Sequence, residues 1–235
     1  MAKRPVFIVS IEDNSLIKER EIEFEYHTGF AAVQKQKSIK NLHKEVLKDD
    51  SLNVLEVSTK SEIELGNKLS AFNLSFKTNE GKKVYLESIF QGSKIFHKND
   101  GPFIDLYFKP PIEAKQDSRI DRTKTITGFK YDNIFWNPEP KTAFYDWLYL
   151  NALNQNVQNS NDSIYEDILH YNAFTDIEFN PKKSINCQAR SCALFVSLTN
   201  RGMLQEALLN KDSFLEIISI DNFYSINSQT SLFEN

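Results

Sequence analysis

Residues 69–96, LSAFNLSFKTNEGKKVYLESIFQGSKIF, contain the pattern on which the fold prediction depends. An apolar segment leads through a turn, predicted at Gly81-Lys82, into a segment where Glu87, Gln91 and Lys94 recur at offsets of four and seven residues. These offsets place a carboxylate, an amide and an amine on one face of an α-helix, which is predicted over 82–97.

The apolar residues of this segment indicate which helix face is buried. Ile89, Phe90 and Phe96 would pin the helix to a core. Two interpretations of the polar stripe remain open at this point, namely a functional cluster and a solvated helix face with an i,i+7 charge pattern.

Composition limits the class of protein. The chain has 235 residues, 40% of them hydrophobic, and a net charge of −4, so any contact to nucleic acid requires a local basic patch. The apolar runs are too short to span a membrane, and the N-terminus is a poor signal peptide, so we expect a cytoplasmic protein. Cys187 and Cys192 are expected to be buried reduced thiols.

The chain predicts an α+β fold that is mainly helical, with a few short strands. We expect an N-terminal strand and helix extension over 1–50, a catalytic domain over 51–210, and a C-terminal segment over 211–235 with a loose end. Strands are predicted at 5–10, 20–29 and 54–57, and helices at 30–48, 82–97, 135–156 and 184–202. The segment 164–181 is predicted to be a helix that leads into an acidic turn.

Carboxylates are the main candidates for chemistry, because the standard catalytic motifs are missing and the four histidines have no ligand spacing. We therefore expect no metal site. Glu87 adjoins apolar residues, and Asp176 and Glu178 lie between aromatic residues on a predicted turn. Asp176 is equally compatible with capping a following helix, and Arg190 with a phosphate contact or a structural salt bridge.

Several motifs resemble the NADAR (YbiA-like) family. They are SLNVLEVSTKS (51–61), LSAFNLSF (69–76), and the E-x-x-F-Q-x-x-K helix that ends at Lys94. Leu69, Ala71 and Ser88 replace the usual Phe, Asn and His. DIEFN (176–180) is similar to the family's D-x-x-W-G turn, and INCQARSCALFVSL to its final helix.

The segments KRPVFI, GFAAVQKQKSIKNLH and FNPKKSINCQARS resemble the branch associated with DarT-type DNA ADP-ribosyltransferase toxins. This resemblance implies an N-glycosidase that removes ADP-ribose from guanine in DNA and acts as the antitoxin of a DarT-type toxin, its possible partner. Alternatives are an N-glycosidase for riboflavin-pathway phosphoribosyl-amines and a non-catalytic ADP-ribose-binding module. No cofactor is expected.

The resemblance implies catalytic roles for Glu87, Lys94 and one of Asp176 and Glu178. Glu87 would act as acid and base. Lys94 would either form a Schiff base with the opened sugar or steer phosphate during direct hydrolysis, and borohydride trapping separates these routes. The implied substrate-binding residues are Ser58, Lys60, Phe72, Phe90, Gln91, Asn186 and Arg190, and the implied DNA contacts are Lys182 and Lys183. For Phe72 and Phe90, core packing is the alternative to base stacking.

Overall fold

A computed structural model of the protein describes residues 1–221 apart from 13, 30, 79, 122, 160–162 and 183. The predicted loose C-terminal end falls within 222–235 and lies outside the described residues. In chain order the elements are β1 (Ala2–Val9), β2 (Ile17–Phe24), α1 (Ala32–Val46), β3 (Val54–Glu56), α2 (Glu64–Lys68), β4 (Ser75–Lys77), β5 (Lys83–Tyr85), α3 (Leu86–Gly92), β6 (Lys94–Phe96), α4 (Pro111–Gln116), β7 (Ile126–Tyr131), β8 (Ile134–Trp136), α5 (Ala143–Asn159), β9 (Ala173–Thr175), α6 (Gln188–Asn200), α7 (Leu204–Leu209) and α8 (Lys211–Ile218). Short 3-10 helices span His97–Asn99, Ile104–Phe108 and Ser163–His170.

The fold is α+β, as predicted, but its description as mainly helical is not confirmed. The described strands form a four-stranded sheet, a hairpin and a three-stranded sheet, which is more β-structure than the sequence pattern indicated. No helix in the described part of the chain is long and apolar enough to cross a bilayer.

The largest sheet has the strand order β2-β1-β9-β3. Strand β1 runs antiparallel to β2 and β9, whereas β3 runs parallel to β9 and pairs Glu56 with Thr175. Because parallel strands end at the same sheet edge, the loop after β3 lies beside the acidic turn after β9. Strands β1 and β2, from the first 50 residues, therefore belong to the same sheet as β9. The division of the chain at residue 50 stays a prediction.

Different helices cover the two faces of this sheet, as the alternation of side chains along β1 requires. Val6 belongs to an apolar cluster with Leu42 of α1, whereas Phe7 belongs to a larger cluster that includes Leu148 of α5 and Leu194 of α6. Cys187 and Cys192 are free and buried, as predicted.

The helix predicted over 82–97 is much shorter in the structure, since α3 contains only seven residues. The turn at Gly81 is confirmed, with a φ of 77° that favours glycine, but the residues after it form β5 of a hairpin. Helix α3 ends at Gly92, where the backbone of residue 103 packs closely. A Cβ at this position would lie 2.7 Å from the Phe103 carbonyl oxygen, so only glycine fits without a shift. Lys94 then begins β6, which pairs with β7.

Three further helix predictions need correction. The segment 164–181, predicted to be a helix that leads into an acidic turn, forms a 3-10 helix, then β9 and then the turn, because Ala173–Thr175 pairs with β3 and β1. The helix predicted from 184 begins at Gln188. The helix predicted over 135–156 is preceded by β8, and it starts only at Ala143, after Pro138 and Pro140.

Candidate active site

The N–H groups in the first turn of a helix have no acceptor within that helix. In α3, two of these N–H groups donate to carbonyl groups of the preceding segment. Leu86 N–H donates to the Leu74 carbonyl at 3.0 Å, and Glu87 N–H donates to the Ala71 carbonyl at 3.1 Å. The LSAF segment therefore holds the start of the helix, and all seven residues of α3 are buried.

A chain of hydrogen bonds links the three polar residues singled out in the sequence. Lys94 Nζ donates to Gln91 Oε1 at 2.6 Å, and Gln91 Nε2 donates to Glu87 Oε1 at 2.9 Å. The prediction that all three share one helix face is wrong for Lys94, which lies on β6. Its long side chain nevertheless reaches Gln91 and lies 4.9 Å from the centre of the Phe90 ring.

A second amine reaches the same carboxylate from α4. Lys115 Nζ lies 3.1 Å from Glu87 Oε1 and 4.9 Å from the centre of the half-buried Phe72 ring. Glu87 is therefore a buried carboxylate that contacts an ammonium group and a side-chain amide. Such a pairing offsets the cost of burying the charge.

At the end of β3, Glu56 is buried in a separate network. Its carboxyl oxygens accept hydrogen bonds from the Thr175 hydroxyl at 2.6 Å and from Ile177 N–H at 2.8 Å. The Thr175 hydroxyl also lies 2.9 Å from His43 Nε2 of α1. Burial raises the pKa of Glu56 and lowers the pKa of His43 to about 4.

Asp176 lies on the turn that follows β9. Burial raises its pKa to about 8, and the neighbouring Glu56 contributes to the increase. Its Oδ1 accepts hydrogen bonds from the N–H groups of Glu178 at 2.9 Å and Phe179 at 3.2 Å. Asp176 therefore caps its own turn, and the alternative role as a helix cap does not apply, since α6 begins at Gln188.

Tyr145 of α5 is buried in the same core as these carboxyl groups. Burial raises the pKa of its hydroxyl well above the ordinary value, and the charges of Glu87 and Asp176 both raise it further. Glu87 and Asp176 therefore both act electrostatically on the same buried phenol, although they are 89 positions apart in the chain.

Gln188 ties the surrounding segments together. Its Nε2 donates to the Val57 carbonyl at 2.6 Å, and its Oε1 accepts from Ala71 N–H at 2.8 Å. These two hydrogen bonds join the start of α6 to the loop after β3 and to the LSAF segment. Ser58 is buried in that loop, and its Oγ accepts from Lys60 N–H at 3.2 Å.

Arg190, a predicted phosphate ligand, points into the protein interior. Its guanidinium donates to Asp146, whose other oxygen accepts from Ser191 Oγ at 2.6 Å, and both ionised residues are buried. The structural salt bridge that the sequence left open is therefore present. Asn186 is half-buried just before α6, and its carbonyl accepts from Ser184 Oγ at 3.2 Å.

The remaining predicted residues occupy different environments. Phe90 packs in the core, with ring centres 5.6 Å from Phe129 and 5.1 Å from Tyr145. Glu178 is exposed and pairs with Lys35 at 3.1 Å. Lys182 is exposed, and Lys183 lies outside the described residues.

A cavity of about 610 Å³ lies between the β4–β5 hairpin and the β7–β8 turn, and none of the predicted site residues lines it. We place the candidate site at Glu87 instead, because the chemically competent groups converge there. The described residues contain no cluster of three or more His, Cys, Asp and Glu that could hold a metal ion.

Sequence reasoning missed Glu56, Lys115 and Tyr145. The signal for Glu56 was present, because a lone glutamate interrupts the apolar run VLEV at 54–57. Lys115 belongs to a helix of mixed charge and Tyr145 to a strongly apolar helix, and neither pattern distinguishes a site residue from its neighbours.

An α+β fold that buries a paired carboxylate near a carboxyl group of raised pKa defines a protein equipped for acid–base chemistry. The model of the family of DarT1-associated NADAR antitoxins matches residues 2–227, so the chain belongs to that family. The resemblance found in the sequence is thereby confirmed. No curated protein matches the chain.

Proposed function

We propose that this protein is a hydrolase that removes ADP-ribose from guanine bases in DNA, and that it protects its cell from a DarT-type toxin in this way. The observation that carries the proposal is the buried Glu87 carboxylate, which accepts a hydrogen bond from Gln91 and pairs with Lys115, while Lys94 donates to the same Gln91. Membership of an antitoxin family associated with a DNA-modifying toxin supports the choice of substrate.

The two carboxyl groups suit different steps of glycoside cleavage. With a pKa of about 8, Asp176 carries a proton at neutral pH and can donate it to the departing guanine nitrogen. Glu87 contacts the Lys115 ammonium and can accept a proton from water. The bond between the ribose C1 and nitrogen breaks, the water oxygen bonds to C1, and the two proton transfers balance the reaction.

Lys94 has two possible roles in this scheme. Its amine can attack the opened sugar as a Schiff-base nucleophile, or it can contact the diphosphate while water attacks directly. Its hydrogen bond to Gln91 is compatible with either role. Borohydride trapping of an adduct at Lys94 distinguishes them.

Binding of the ADP-ribosyl group is proposed to involve the loop after β3. Lys60 is half-buried there beside Ser58, and Phe72 is half-buried next to Lys115. Lys182 is proposed as a contact to the DNA backbone, because its exposed side chain supplies positive charge on a protein of negative net charge.

The test is incubation of the protein with an oligonucleotide that carries ADP-ribose on guanine. Wild type should release ADP-ribose, and Glu87→Gln should lower the rate by about 10²–10⁴-fold, because it removes the proton acceptor. Glu64→Gln is the matched control, since Glu64 also pairs with a lysine at 3.1 Å but has a 71% exposed side chain.

Absence of release by a folded wild-type protein would refute the proposed activity. Release from free phosphoribosyl-amines and not from DNA would instead identify a small-molecule N-glycosidase. Tight binding of ADP-ribose without turnover would identify a binding module.

A further inference from the structure

We propose that Lys115 is the positioning residue for the Glu87 carboxylate. This inference rests on the proposed function of the same site. Lys115 lies outside the motifs that connect this chain to its family, and its role follows from the tertiary contacts of α4.

The ammonium of Lys115 is held between two elements. It contacts Glu87 Oε1 of α3 at 3.1 Å and lies over the ring of Phe72, which follows the LSAF segment, at 4.9 Å. A cation over an aromatic face is attracted by the ring quadrupole. The two contacts together hold the ammonium beside Glu87, with 36% of the Lys115 side chain exposed.

Hydrogen bonds at both ends of α4 fix the helix, and this places Lys115 beside Glu87. Asp117, just after the helix, accepts hydrogen bonds from Lys109 at 2.9 Å and from Arg119 Nε at 2.8 Å. The Lys109 carbonyl accepts from Ser88 Oγ at 2.8 Å, which joins the segment before α4 to α3. Ala114, next to Lys115, is fully buried.

The contacts of Lys115 orient Glu87 for proton transfer. Gln91 and Lys115 both contact Oε1, so among the described residues Oε2 is left to accept a proton from a bound water. Small displacements of a catalytic group have large effects on rate. Lys115 therefore acts through Glu87, by holding one oxygen and directing the other.

The experiment measures kcat and KM of Lys115→Met on the ADP-ribosylated oligonucleotide. We expect kcat to fall by about 30-fold with KM within about threefold of wild type, because the substrate sites remain while Glu87 loses its orientation. Lys115→Arg should recover most of the loss, since a guanidinium can pair with the same carboxylate. An unchanged kcat, or a loss confined to KM, would overturn the proposal.

Lys124→Met is the matched control. Lys124 likewise pairs with a carboxylate, Asp100, at 2.9 Å and lies over a phenylalanine ring, Phe96, at 5.7 Å. Its substitution removes the same kinds of contact away from Glu87, so kcat should stay at the wild-type value. An equal loss in Lys124→Met would show a general effect of charge removal and overturn the assignment.

A second measurement does not depend on turnover. A double-mutant cycle of Lys115→Met and Glu87→Gln, followed by urea unfolding, should give a coupling free energy that differs from zero. Zero coupling would overturn the proposal even if the wild type releases no ADP-ribose. Failure of the positioning role is therefore distinguishable from failure of the proposed activity.

Discussion

Glu87 and Glu56 are both buried glutamates, yet their surroundings differ in kind. Glu87 contacts the long side chains of Gln91 and Lys115, and Lys115 is a partly exposed cation. Glu56 accepts hydrogen bonds from the Thr175 hydroxyl and the Ile177 backbone, within the edge of a sheet.

The difference indicates how the protein uses the same residue type for two purposes. The ammonium that pairs with Glu87 is partly exposed, which favours a role of Glu87 in the proposed chemistry. Partners on the backbone and on a strand residue are fixed by the fold, so Glu56 is suited to holding the loop after β3 beside the turn of Asp176. The following predictions test this division.

The largest expected effect on stability is that of Glu56→Ala. Removing the carboxyl group leaves Ile177 N–H and the Thr175 hydroxyl buried without this acceptor, which should lower the free energy of unfolding by about 3 kcal/mol. Glu87→Ala should cost less, about 2 kcal/mol, because it leaves the buried Gln91 amide without this acceptor while Lys115 can reach solvent. Urea unfolding measures both, and equal losses would contradict the division.

Asp176→Asn should stabilise the protein in a pH-dependent way. The folded-state pKa of Asp176, about 8, is above its ordinary value of 3.8, so wild type loses stability as pH rises from 3.8 to 8. Asparagine cannot ionise and keeps an acceptor for the turn. Relative to its value at pH 4, we expect the stability gain of Asp176→Asn to grow by about 2 kcal/mol at pH 6.

The measurement is urea unfolding of both proteins across this pH range. A gain that does not vary with pH would contradict the raised pKa of Asp176. The same substitution should also abolish release of ADP-ribose if Asp176 supplies the proton to guanine.

The smallest effect concerns His43, which joins the Glu56 network through Thr175. Its folded-state pKa of about 4 is below the ordinary value of 6.5, so wild type loses the contribution of neutral His43 as pH falls from 6.5 to 4. His43→Gln removes this titration, and its stability relative to wild type should rise by about 1 kcal/mol as the pH falls from 6.5 to 5.5. Unfolding curves of both proteins at these two pH values provide the test, and a constant difference would contradict it.

The sequence predicted the polar cluster better than it predicted the secondary structure that carries the cluster. The helix at 30–48, the strand at 54–57 and the turn at Gly81 are present. The helix over 82–97 is not, because pairing of Lys83–Tyr85 and Lys94–Phe96 with other strands overrides the local helical spacing. Lys94 reaches Gln91 through the length of its side chain, which periodicity cannot predict.

The sequence by itself determined the family through its motifs and the α+β class through its mixture of helical and strand patterns. It also predicted that Glu87 and Gln91 contact each other, because residues four apart share a helix face. The tertiary structure alone decided that Arg190 is bonded to Asp146, that Lys115 contacts Glu87, and that Glu56 accepts hydrogen bonds from Thr175 and Ile177. These contacts join residues that are far apart in the chain. Their charge states depend on burial and on neighbours that only the folded protein brings together.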